Sequence, residues 1–337
     1  LFRSYNLMMC ECKKLLASSK TMLKIQGDVT GGLDVIPPDT QGAVGLQHVV
    51  MTLNNQVVIQ LKSNGSVVSS VPIEQFWQTF STNVFDPRIV YDAAQGRWVF
   101  TVGAEPDTLN AAILIAVSNT NDPTGRWRLF KIIADQNHLV WADQPTLGFN
   151  NLWIVSQTNL YDLQTENFVG SQILIINKSS LYAGTLSFSR IKTNVNFGGS
   201  MVPAQSYDAN ISTQYFLQDW SNSNNDIGNA LRLYKVDPVS HNSVTPGALV
   251  PVGFALPQQG WSWRQDAPVI NGGFAPQRGT TKKIMLNDSR IQNVVLVNGS
   301  LWTTHNVFLP ASNPTRGIVQ WWQVTTAGAM VQCGRIE

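Results

Sequence analysis

Short apolar runs alternate with clusters of Asn, Asp, Gly and Ser along almost the whole chain, and outside the N-terminus no long amphipathic helical pattern interrupts them. Runs of this length, rich in Val, Ile, Thr, Trp and Phe and closed by turn residues, predict β-strands joined by tight turns. The runs also recur as a set. FDPRIVYDAAQGRWVF, from Phe85, aligns with NDSRIQNVVLVNGSLW, from Asn287: each has an Asp, an Arg-Ile pair, a Gly-bearing turn and a Trp-containing strand. Further copies start around Asp39, Asp143 and Asp208, so the starts at Asp39, Asp86, Asp143, Asp208 and Asp288 are spaced by 47, 57, 65 and 80 residues. Each start is followed by a third apolar run, and the strand after its turn closes a four-stranded unit.

A repeated four-stranded unit cannot bury its faces alone, and radial repetition is the expected solution. The prediction is therefore an all-β chain, a β-propeller of four-stranded blades. Five blades are visible, and a longer natural chain would bring the number to six or seven. The repeats run without a linker, which predicts one propeller domain over residues 35–337 and a peripheral N-terminal segment over 1–34, native or otherwise. Residues 1–28 lack the repeat texture and a convincing signal-peptide pattern; they read as a partial frame or a displaced start.

Composition narrows the partners. A net charge of +2 with 13% charged residues gives no basic stripe, which argues against nucleic acid. No apolar stretch approaches the ~18 residues of a membrane span, so no membrane insertion is expected. Cys10, Cys12 and Cys333 lack zinc-finger spacing and read as free thiols, with a disulfide from Cys333 open if the termini meet. No cofactor and no metal motif is evident. Oligomeric state is not legible.

The blocks IPPDTQGAVG, FDPRIVYD, DPTGRW, WADQPTLGF and DSRIQNVVLVNGSLW resemble those of a family of large secreted bacterial propeller proteins, mostly uncharacterised, with PPDTxGAVG at the first blade. That resemblance covers residues 35–337 and implies an extracellular or cell-surface location, without a transferable activity. More distantly, the chain is similar to five-bladed glycoside hydrolases and to sialidases, whose sites lie at the axis. The turn from Ala116 to Trp127 resembles an Asp-containing turn of those folds; Asp122 and Gly125 need only a tight turn there.

In a propeller blade the first strand is innermost, so the residue before it and the loop after the second strand share the entry face. This places Asp39, Asp86, Asp143 and Asp288 at one end of the channel, with Asp208 a poorer match. The loops after the second strands add Glu105, Asp219, Trp220 and His305, and incoming loops add His138, Trp141, Trp261, Trp263 and Asp266. Trp98, Trp127, Trp153 and Trp302 fall on strands and read as packing. The funnel is expected to bind a glycan or another small neutral ligand, with Asp39, Asp288, Arg88, Arg290, Trp141, Trp220, Trp261, Trp263 and His305 as ligand contacts. The alternative is a glycoside hydrolase, with Asp86 or Asp143 as base or nucleophile and Glu105 as acid. A structural reading competes with both, since Asp before an inner strand commonly accepts backbone N–H groups and Arg88 and Arg290 stand two residues on. An axial Ca²⁺ is a third reading of the Asp ring. Whether the protein is an enzyme stays open at this stage.

Overall fold

The computed structural model describes residues 38–220, 229–241, 243–257, 259–263, 275–276, 278–281, 283–284 and 286–336. The expected N-terminal segment, with Cys10 and Cys12, lies outside them, as does Asp266. The chain divides into two compact units, residues 1–145 and 146–337.

The first unit holds two antiparallel meanders. β1 (Gln41–Val44), β2 (His48–Thr52), β3 (Gln56–Leu61) and β4 (Val67–Pro72) pair in chain order, as do β5 (Val84–Asp92), β6 (Arg97–Ala104), β7 (Ala112–Ser118) and β8 (Trp127–Ile133). Between them, the short helix α1 (Ile73–Trp77) turns Ile73 and Trp77 inward. These join Trp98, Phe100, Ile89 and Leu114 in a core packed between the two sheets. Each such large side chain, taken fully from water, contributes about 1.5–3 kcal/mol. Trp98 is fully buried and donates from Nε1 to Asn121 O at 3.0 Å, which anchors the turn that follows β7. In that turn the Asp122 carboxylate accepts the Thr124 N–H at 2.9 Å and the Thr124 hydroxyl at 2.7 Å, a self-contained Asx turn.

β9 (Val140–Phe149) begins in the first unit and ends in the second. In the second unit β10 (Trp153–Asp162), β11 (Phe168–Asn177), the helix α2 (Lys178–Ala183) and β12 (Phe188–Lys192) follow. β13 (Val202–Pro203), β14 (Gln205–Ser206), β15 (Gln214–Asp219), β16 (Leu231–Pro238) and β17 (Pro246–Ala255) come next. After the small ribbon of β18 (Ala275–Pro276) and β19 (Lys283–Ile284), the last meander is β20 (Val294–Val297), β21 (Ser300–Leu309), β22 (Arg316–Thr325) and β23 (Met330–Ile336). The repeats are thus consecutive four-stranded antiparallel meanders, the blades of an all-β propeller chain.

The inner strand of the fourth blade is split. β13 pairs outward with β15, whereas β14 pairs in parallel with β9 through Gln205↔Phe149 and with β20 through Gln205↔Val295 and Ser206↔Leu296. This close approach needs Gly148, where a Cβ would stand 2.4 Å from Pro203 O. Trp153, Ile173, Phe216 and Tyr234 form one core of this unit, and Leu217, Leu231, Trp261, Leu301 and Trp322 belong to another.

One backbone feature recurs before or within the first strand of each meander, inside β5 and β9 and ahead of β1, β13 and β20. Asp39 (φ 44°), Asp86 (51°), Gln144 (50°), Ser200 (56°) and Asn287 (60°) all adopt the left-handed conformation. Asp and Asn tolerate this region better than other non-glycine residues, which gives the Asp39 and Asp86 marks a conformational cause. Their register is not uniform: Asp143 stands one residue before its kink and Asp288 one residue after. The fourth mark is corrected, because the kink is at Ser200, whereas Asp208 follows the inner strand, is exposed, and accepts the Asn210 N–H at 2.8 Å.

Candidate functional site

The first unit brings three carboxylates to bear on one another. Asp39 precedes β1, Asp143 lies in β9, and Asp86 sits at a bulge where β5–β6 pairing skips from Phe85↔Gly103 to Arg88↔Thr101. A bulge leaves a residue unpaired and re-aims its side chain. Asn54, in the turn between β2 and β3, ties the cluster together. Its Nδ2 donates to Asp39 Oδ2 at 2.7 Å, and its Oδ1 accepts the Asp86 N–H at 2.8 Å.

Asp86 is electrostatically unusual. Burial, a hydrogen bond to the Asp39 carboxylate and the negative charges of Asp39 and Asp143 push its carboxyl from 3.8 to about 7, against the opposing charge of Arg88. A carboxyl that donates to a neighbouring carboxylate must carry the proton, and like charges at close range keep it there. Arg88 is buried and donates from Nε to Pro145 O at 2.8 Å, so its guanidinium is fixed rather than swinging freely between carboxylates.

Aromatic surface flanks the cluster. Trp141 and Asp143 are two apart in β9 and therefore share a face; Phe85 precedes Asp86. The Phe85 and Trp141 rings meet edge to face, with centroids 6.4 Å apart. The exposed Leu109 and Leu139 stand in adjoining loops, which His138 clasps by donating from Nδ1 to Leu109 O at 2.5 Å. Glu105, expected as an acid, is placed otherwise: its carboxylate accepts the Ser81 hydroxyl at 2.5 Å, and it is not among the groups acting on Asp86.

The second unit deals differently with the remaining expected contacts. Asp288 is closed by Arg290, whose Nε reaches both carboxylate oxygens at 2.8 Å. Trp220, Trp261 and His305 do not form a rim, being 3%, 2% and 4% exposed. Trp220 is stacked by the Arg232 guanidinium, 4.3 Å from the ring centroid, and Trp261 packs edge-on against Trp322 and His305. His305 accepts from Trp322 Nε1 at 3.0 Å and donates from Nδ1 to Ser289 O at 2.7 Å, and Asp219 takes the Ser289 hydroxyl. Burial holds the His305 imidazole below its usual value, so these contacts belong to the neutral ring. Trp263 is half-buried, and its carbonyl accepts the Ser289 N–H at 2.7 Å.

Among the described residues, no three His, Cys, Asp or Glu side chains converge closely enough to hold a metal ion, and no helix is long and apolar enough to cross a membrane. Cys333 is a free, half-buried thiol.

No family model matches the chain, and no curated protein does. Solved structures do. An endo-arabinanase of glycoside hydrolase family 43 from Bacillus licheniformis is 13% identical, with 87% of this chain and 96% of that one covered and a TM-score of 0.42. A thermostable family-43 glycoside hydrolase is 9% identical, with 89% and 94% covered and a TM-score of 0.45. A luciferin-regenerating enzyme is also 9% identical, with 88% and 76% covered and a TM-score of 0.43.

Proposed function

We propose that the cluster of Asp39, Asp86 and Asp143, with Trp141 and Phe85 beside it, is a glycan-binding site of an extracellular or cell-surface protein. The observation that carries this reading is the meeting of Asp86 with Asp39 and Asp143, with Asn54 bonded to both Asp39 and Asp86 and the Asp86 carboxyl raised by burial and its acidic neighbours. A carboxyl that donates next to carboxylates that accept offers both halves of the hydrogen bonding that vicinal hydroxyls require. The Trp141 ring supplies an apolar face for the C–H side of a sugar. Asp39 and Asp143 both act on Asp86 as negative charges, against Arg88, so a neutral ligand is favoured over an anion.

A second reading, hydrolysis of a glycosidic bond, is favoured by the same shift. A carboxyl still protonated near pH 7 is what a general acid needs, with an ionised neighbour as base or nucleophile. In that reading Asp86 is the acid and Asp143 its partner, and Glu105 has no part. A glycan-array screen on the full chain, with sugar-release assays on polysaccharides, tests both. Binding lost in Trp141→Ala without release by the wild type supports the module; release abolished in Asp86→Asn supports the enzyme. An array without any bound glycan and assays without release would overturn the proposal.

A further inference from the structure

The second unit carries a separate cleft of about 460 Å³, lined by Ser212, Thr213, Tyr215, Asp237, Ser240 and His241 among others. Its volume lies within the ~300–1,000 Å³ of small-ligand sites. Both walls are held by one short stretch of chain. Asn150 Nδ2 donates to Ser212 O at 2.9 Å, and Asn151 Nδ2 donates to Ala209 O at 2.9 Å and to Ser212 Oγ at 3.2 Å, which fixes the loop before β15. Trp153 Nε1 donates to Val244 O at 2.8 Å and fixes the turn between β16 and β17. The cleft is therefore built before any ligand arrives, and pre-organisation lowers the entropic cost of binding.

Its chemistry selects a class of ligand. Asp237 is oriented by Thr213 Oγ1 at 2.6 Å and by Lys235 Nζ at 2.8 Å, one contact on each oxygen, and each oxygen keeps accepting capacity. Because Lys235 already neutralises this carboxylate, neither a cation nor an anion is strongly preferred. The remaining polar groups are the Asn210 amide, the hydroxyls of Ser212, Ser240 and Tyr215 and the His241 imidazole, while Tyr215, Ile211 and Pro238 add apolar surface. Hydroxyl, amide and carboxylate groups around an aromatic and aliphatic floor match a molecule with hydroxyls on its edge and C–H groups on its faces. We infer that this cleft is a second binding site, for a neutral saccharide, distinct from the acidic cluster and independent of the reading given to it.

The test is a titration of isotopically labelled full-length protein with lactose, cellobiose and xylobiose, followed by amide chemical shifts. At least one sugar is expected to shift the Thr213, Asp237 and His241 amides saturably. Ser240→Trp, which fills the cleft from an exposed turn, is expected to abolish those shifts, and Asp237→Asn to weaken them about tenfold, as for a hydrogen bond to a charged group. Asp86→Asn is expected to leave them unchanged. Failure of the acidic site as a glycan site would show separately, as absent shifts around Asp39, Asp86 and Asp143. Unmoved cleft amides with all the sugars, or shifts that survive Ser240→Trp, would overturn the inference.

Discussion

Asp86 is hydrogen-bonded to Asp39, and burial together with that contact raises the Asp86 carboxyl from 3.8 to about 7. Asn54 holds the pair by bonding the side chain of one and the backbone of the other, at 2.7 and 2.8 Å. The same contact that gives the site its chemistry also makes the fold sensitive to pH.

Because the Asp86 pKa is raised from 3.8 to about 7, the folded state holds a proton that the unfolded chain releases. The associated stability is fully present below about pH 4 and is lost as pH rises through about 7. Asp86→Asn, which cannot ionise, should remove that dependence. Melting temperatures of both proteins from pH 4 to 8 are expected to converge towards the low-pH end and to separate as pH rises, with the wild type losing ground. Parallel curves would mean that the carboxyl is ionised throughout.

His305 should act in the opposite direction. Its imidazole is buried and held below the usual 6.5, so the folded state favours the neutral ring that accepts from Trp322 Nε1. That contribution is present above pH 6.5 and is lost as pH falls below it, when the unfolded chain takes up the proton. His305→Asn should cost stability at pH 8, on the order of 1–3 kcal/mol for the donor left without its acceptor, and should flatten the acid side of the profile. Chemical denaturation at pH 8 and pH 5 separates the two effects; an equal cost at both would rule out the titration.

The two clusters differ in what a single charge removal should do. Asp288 is closed against Arg290 and locally satisfied. Both side chains are largely buried, 12% and 31% exposed, so Asp288→Asn should cost stability on the order of 1.5–3 kcal/mol, as for hydrogen bonds to a charged group, and leave glycan affinity within about twofold. Asp143→Asn, by contrast, removes a negative charge that acts on Asp86, and it should weaken glycan binding while lowering the Asp86 pKa. Affinity measurements on both variants, with the Asp86 titration followed by carboxyl-carbon NMR, decide the point.

Much of the fold was legible because strand alternation and turn residues are local signals. Asp39 and Asp86 occupy left-handed positions that favour Asp, and Asp143 and Asp288 each stand one residue from such a position. The fourth entrance was hidden because Ser200 carries the kink and the inner strand is broken into β13 and β14, two residues each, too short to show a period. The acidic pair was legible as residues and not as chemistry: nothing in the spacing says that Asn54 draws Asp86 and Asp39 together. Trp220 reads as a loop contact because it directly follows the end of β15, whereas His305, read into a loop, lies in the middle of β21 opposite Gln320. Their burial depends on Arg232 stacking and on Trp322 donating, neither of which leaves a mark in the sequence near them.

The aromatic wall beside the acids depends on a glycine. Gly103 lies in β6 under the Phe85 ring, and a Cβ there would stand 2.4 Å from Phe85 Cζ, with the two Cε atoms at 2.7 and 2.8 Å. A methyl group cannot occupy that space unless the ring moves, and the ring is the edge-to-face partner of Trp141. Gly103→Ala should therefore shift Trp141 without touching a carboxylate, at a stability cost of about 1–3 kcal/mol for an overpacked site. Trp141→Ala should weaken glycan binding by about 1–3 kcal/mol through loss of the stacking face, and it leaves the β5–β6 pairing intact. If Trp141 is the platform, Gly103→Ala weakens binding in the wild type, and in the Trp141→Ala background it has no further effect on affinity. A double-mutant cycle in glycan affinity reads this coupling directly. Additive losses would place the Gly103 effect outside the aromatic wall and remove Trp141 as its route to the ligand.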